Sequence, residues 1–134
     1  NFYQNFPTFS QVAQELLQWL KNLELQKYFW ISHGCDSKTL AKEFEREKLK
    51  LPTNYIWIDS GKLVRTFLNT PYWGVDSLCS RFDIIRINPH TVLGDIWTQW
   101  ILIQKVINIS TKKNPIQVFV EFSNQNSISV RQYK

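Results

Sequence analysis

Two short runs decide what this chain can fold into. Lys27-Tyr28-Phe29-Trp30-Ile31-Ser32 and Tyr55-Ile56-Trp57-Ile58 are aromatic and β-branched, the composition of buried strands. Each leads into a helix signal, His33-Gly34-Cys35-Asp36 after the first and the capping pair Asp59-Ser60 after the second. The segment from Ser37 to Lys48 between them reads as a helix with Leu40 and Phe44 inward and a solvated charged face, stopped by Pro52. Alternation of this kind predicts an α/β fold. Two strands are too few for a stable sheet beneath helices. Further strands must come from elsewhere.

The remaining elements follow from periodicity. Thr8, with Gln11 three residues later, forms a capping-box signal before Val12, Leu16, Leu17, Leu20 and Leu23 at helical spacing. Gly61–Leu68 is a helix after Asp59-Ser60. Val75, Leu78, Cys79 and Phe82 mark a shorter one, and Asp83–Asn88 connects it to a long apolar helix over 89–109. Beyond Lys112-Lys113-Asn114-Pro115, the runs Ile116–Phe122 and Ile128–Tyr133 flank Ser123-Asn124-Gln125-Asn126-Ser127 and read as a C-terminal β-hairpin. The expected organisation is one α/β domain portion over 1–111 with a hairpin extension over 112–134.

Composition narrows the function classes. At 134 residues with 43% hydrophobic and 20% charged residues, the chain suits one folded core rather than disorder. A net charge of +5 favours an anionic partner and keeps nucleic acid in view, although the basic residues are scattered. Two cysteines without metal-ligand spacing indicate no disulfide framework, and a reducing compartment is the default. No run approaches the roughly 18 apolar residues of a membrane span. The expected setting is intracellular and cytoplasmic, away from membranes.

Candidate chemistry centres on Asp36, His90 and Asp95. Asp36 lies where a buried strand passes through a glycine into a helix, the kind of strand end at which open α/β sheets bind ligands. Pro89-His90-Thr91-Val92-Leu93-Gly94-Asp95 places a loop histidine five residues before an aspartate in the first turn of a helix. Carboxylates gathered in one place repel unless a cation joins them, so divalent metal ions with His90 as base for a bound water would account for the set. The simpler reading makes Asp36 a helix cap and Asp95 a first-turn charge.

The order of blocks resembles the DEDDh (DnaQ-like) 3′–5′ exonucleases. Phe29-Trp30-Ile31-Ser32-His33-Gly34-Cys35-Asp36-Ser37-Lys38-Thr39-Leu40 is similar to their second motif. Trp57–Arg65 resembles the segment that follows it, and Gly74–Ile84 resembles their "L-x-x-L-C-x-x-F-G-I" helix. Pro89–Asp95 is similar to the third motif, "H-x-A-L-x-D". The likeness spans about residues 8–109, and the Thr8–Leu23 helix points to the branch that includes histone-mRNA 3′ exonuclease relatives. It implies an RNase H-like fold and a site holding two Mg²⁺ or Mn²⁺ ions. It also implies metal-site carboxylates at Asp36 and Asp95, a water-activating base at His90, and substrate contacts from His33 and Leu40.

The family's first motif, an Asp-x-Glu on the leading strand, occurs nowhere in this sequence, and the first three strands of the fold are also missing. There is no Met either. The chain therefore reads as the C-terminal part of an exonuclease domain, its leading strands lying on another segment or chain that completes the sheet. A permuted alternative takes Val118–Asn124 as the first-motif strand, with Glu121 as a remnant of the motif and Phe119 in place of its Asp. Two functions follow: a 3′–5′ exonuclease acting on the 3′ end of single-stranded RNA or DNA, or an inactive exonuclease-like nucleic-acid-binding or assembly module.

Overall fold

A computed structural model of the chain describes residues 5–23, 28–52, 56–71 and 74–125. In order, the elements are α1 (Phe9–Lys21), β1 (Phe29–Ser32), α2 (Asp36–Arg46), β2 (Ile56–Asp59), α3 (Ser60–Leu68), α4 (Val75–Arg81), α5 (Val92–Ser110) and α6 (Pro115–Gln125). The two strands pair in parallel, with Trp30 opposite Trp57 and Ile31 opposite Ile58. Among the described residues they form a two-stranded sheet. The fold is mixed α/β.

Strand alternation sorts the side chains onto two faces. Trp30 and Trp57 pack with Leu16, Leu20 and Leu23 of the α1 region, the two indoles stacking at 6.3 Å between ring centroids. Phe29, Ile31 and Ile58 turn to the other face, where Leu63 of α3, Ile103 and Ile107 of α5, and Val118, Phe119 and Phe122 of α6 complete the main core. A second cluster of Val64, Leu78, Leu102 and Val106 joins α3, α4 and α5. Helix α5 explains its own composition. It is buried along Thr98, Leu102, Ile103, Val106 and Ile107, between the sheet side and α4.

The first helix begins as its sequence predicts. Thr8 Oγ1 accepts from the Gln11 N–H at 3.4 Å, and Gln11 Oε1 accepts from the Thr8 N–H at 2.8 Å.

The expected C-terminal β-hairpin is corrected. Residues 115–125 are helical, and the second proposed strand, Ile128–Tyr133, lies outside the described residues. The cause is a capping box: Asn114 Oδ1 accepts from the Gln117 N–H at 3.0 Å while Gln117 Oε1 accepts from the Asn114 N–H at 3.1 Å. Pro115 takes the first helical position, where its missing N–H has no intrahelical partner to lose. The alternating apolar run then resolves at helical spacing, with Val118, Phe119 and Phe122 buried and Ile116 and Val120 exposed. The permuted first-motif strand is corrected with it. Phe119 packs on Phe29 of β1 at 5.5 Å between centroids, and Glu121 sits on the exposed side of α6, paired with Lys113 Nζ at 2.5 Å. This segment belongs to the main core rather than extending from it.

Candidate functional site

The site starts at the carboxyl ends of the two strands, and Asp59 organises it. As the N-cap of α3 it accepts at Oδ1 from the N–H groups of Gly61 at 2.9 Å and Lys62 at 3.2 Å. The same oxygen accepts from the Gly34 N–H at 3.0 Å, tying the turn after β1 to the helix after β2. Gly34 has φ 93°, a backbone state that a side chain would strain. This turn launches α2 with Cys35, not Asp36, at the N-cap. Asp36 is therefore in the first helical turn, exposed and without a capping duty. The simpler reading of Asp36 as a cap does not hold.

A polar chain braces the floor. Ser60, 1% exposed, places Oγ 2.8 Å from Gln99 Nε2 and 3.0 Å from His33 Nδ1. Ser60 Oγ thus joins the Gln99 amide and the His33 ring in one chain. Alongside, Trp57 Nε1 donates to Ser32 Oγ at 2.8 Å.

The opposite wall is the start of α5. Thr91 is its N-cap, with Oγ1 accepting from the Gly94 N–H at 3.2 Å and donating to the Asn88 carbonyl at 2.7 Å. Gly94 is required by close approach: a Cβ there would stand 2.1 Å from the Ile87 carbonyl oxygen and 2.3 Å from that of Asn88. Loop 84–91 is thereby folded against the helix, and Arg86 bridges two carboxylates from it. Its Nη1 donates to Asp76 Oδ1 on α4, and its Nη2 donates to Asp95 Oδ1 at 2.6 Å. The His90 N–H reaches the same Asp95 oxygen at 3.3 Å. The Arg86 guanidinium, with help from that N–H, holds the Asp95 carboxyl below the usual carboxylate range, against some desolvation.

Asp36, Asp95, His33, Arg86 and Gln99 line one cleft of about 380 Å³, closed on its apolar side by Ile31, Val75 and Ile96. That volume is in the range of small-ligand sites, roughly 300–1,000 Å³. Two of the three residues singled out from sequence are thus brought together, and His33 joins them. The third is not. His90 is exposed at φ 64°, and its link to the cleft is its backbone. Leu40 is also placed elsewhere, in a small apolar pocket with Leu16, Leu20, Trp30, Leu51 and Trp57, between α1, α2 and the sheet. Glu121 does not line the cleft.

Arg86 was missed by sequence reasoning although a signal exists: it stands alone among aliphatics in Ile84-Ile85-Arg86-Ile87. A charge that becomes buried in such a run needs a partner.

Among the described residues, no three His, Cys, Asp or Glu side chains converge as a metal-binding group. The donors at hand are the carboxylates of Asp36 and Asp95, oxygen ligands of the kind Mg²⁺ and Mn²⁺ accept. Two carboxylates, one of them paired with Arg86, do not by themselves make such a site. No helix among the described residues is long and apolar enough to cross a membrane. No family model, characterised protein or solved structure matches this chain.

Proposed function

We propose that the chain carries the second- and third-motif half of a two-metal-ion 3′–5′ exonuclease site, acting on the 3′ end of single-stranded RNA or DNA within an RNase H-like fold. The observation that carries this is the meeting of Asp36 and Asp95 in one cleft at the carboxyl end of the parallel strands. Asp36 and Asp95 would hold Mg²⁺ or Mn²⁺ together with first-motif carboxylates from another segment or chain. The ions, when bound, activate water and neutralise charge on the phosphate. His33, braced by Ser60 and Gln99, faces the substrate side. His90 serves as base for the attacking water. Its backbone N–H already reaches Asp95, which places the residue beside the cleft.

A second reading is an exonuclease-like binding or assembly module without chemistry. The Arg86 bridge favours it, since a guanidinium already neutralises Asp95.

The separating experiment incubates the intact protein with a 3′-labelled single-stranded oligonucleotide, with and without Mg²⁺ or Mn²⁺, beside Asp36→Asn and Asp95→Asn. Metal-dependent release of the terminal nucleotide that both substitutions abolish supports the enzyme. Binding without release supports the module, and equal release by wild type and Asp95→Asn removes the catalytic assignment. In the active case, His90→Ala should slow release on the order of 10²–10⁴-fold.

A further inference from the structure

We propose that the bare end of α5 and the outer edge of β1 form one docking surface for a second copy of this chain. The surface lies beside the cleft, and its role is independent of the chemistry proposed there. Val92, Ile96, Trp100, Ile103 and Ile107 follow one another at helical spacing along a single face of α5. The C-terminal half of that face is covered: Ile103 and Ile107 are buried in the main core, and Trp100 packs against it. The N-terminal half is not. Val92 and Leu93 are 76% and 71% exposed, and Ile96 and Trp97 are 54% and 57% exposed. These four side chains expose on the order of 500 Å², and the exposed Ile85 and Ile87 of loop 84–91 bring the apolar surface toward the roughly 800 Å² that each partner gives a stable interface.

The sheet edge selects the partner. Among the described residues β1 has a neighbouring strand on one side only. Phe29-Trp30-Ile31-Ser32 carries none of the charges or prolines that keep edge strands apart. An open edge is complementary to itself, because two copies of one strand related by a two-fold axis pair antiparallel and share backbone hydrogen bonds. Ile96 lines the cleft with Ile31 and Ser32, and no β2 residue does, so the bare stripe flanks the β1 edge. Pairing β1 with its own copy makes a sheet of four strands, a size that is stable where two strands are not. It also lays residues 92–97 of each copy over the other. Trp97 is the anchor, since tryptophan is enriched among the few residues that carry most of an interface's energy.

The test is the mass of the intact protein by sedimentation equilibrium across the micromolar range, for wild type, Leu93→Arg, Trp97→Lys and Ile116→Lys. Ile116 is an exposed apolar residue of α6 outside the surface and serves as control. Wild type should approach twice the mass of one chain. Leu93→Arg and Trp97→Lys should each weaken association about 30-fold or more, and Ile116→Lys should leave it unchanged. Hydrogen exchange reads the edge: protection of residues 29–32 should rise with protein concentration in wild type and not in Trp97→Lys. If a variant does not fold, the wild-type melting temperature decides, a rise with concentration supporting the dimer and a constant value overturning it. Wild type that stays monomeric overturns the proposal, whatever the nuclease assay shows. A dimer that Leu93→Arg and Trp97→Lys leave intact, or that Ile116→Lys weakens equally, places the interface elsewhere and overturns it too. A dimer broken by both, without concentration-dependent protection of residues 29–32, overturns the β1 pairing.

Discussion

Asp59 and Asp95 both stand at helix starts, and they are held in opposite ways. Asp59 gives one oxygen to three backbone N–H groups, from Gly34, Gly61 and Lys62. Asp95 gives one oxygen to a side chain, Arg86, and to a single, longer backbone donor. Backbone donors cannot leave without unfolding the turn that carries them. A guanidinium on a long side chain can. The first aspartate is tied to backbone alone and the second chiefly to a side chain, although both are aspartates beside a helix N-terminus and look alike in sequence.

Three substitutions and a pH series try that contrast. The largest effect on stability should come from Asp59→Ala, which strips a helix cap and leaves up to three N–H groups without their acceptor. A loss of about 2–4 kcal/mol in urea unfolding is expected, and a loss no greater than that of Asp95→Asn would break the comparison. Gly94→Ala should follow, at about 1–3 kcal/mol, because its Cβ must push loop 84–91 off α5. Asp95→Asn should cost less stability than either, because the Asp95 side chain is half exposed and solvent screens its pair with Arg86. Smallest is the pH effect. Arg86 lowers the Asp95 pKa, so the stabilisation from this pair is fully present above the unfolded carboxylate value, about 3.9. It is lost as pH falls through the lower folded value. The melting-temperature difference between wild type and Asp95→Asn should be level from pH 5 to 8 and shrink only below about pH 4.

Much of the framework was legible because its signals are local. Thr8 with Gln11, Asp59 with Ser60, and the runs around Trp30 and Trp57 each name an element through nearest-neighbour chemistry. The helix over 115–125 could have been read the same way. Asn114-Pro115-Ile116-Gln117 carries the cap-and-third-residue pattern used at Thr8, but the β-branched run after it was given more weight than the cap. The cap starts the helix, and the buried side chains of Val118, Phe119 and Phe122 then pack it into the main core.

The site was legible by half. Asp36 and Asp95 could be paired because block order carries some long-range information. Arg86 could not be placed by spacing, because its two partners lie on different helices and meet it only once loop 84–91 folds over Gly94. His90 was read beside Asp95 from their nearness in sequence, and in the structure its backbone N–H is what reaches the carboxylate. Leu40 shares α2 with Asp36, one turn on, yet it lines the apolar pocket beside α1 rather than the cleft at the strand ends.

The central proposal is that Asp36 and Asp95 would share one bound ion. The direct test is the Mn²⁺ affinity of the intact protein for wild type, Asp36→Asn, Asp95→Asn and the double variant. Two ligands of one ion should each weaken binding strongly, with the double variant losing less than the sum of the two single losses. Wild-type affinity in either single variant, or losses that simply add, would contradict it.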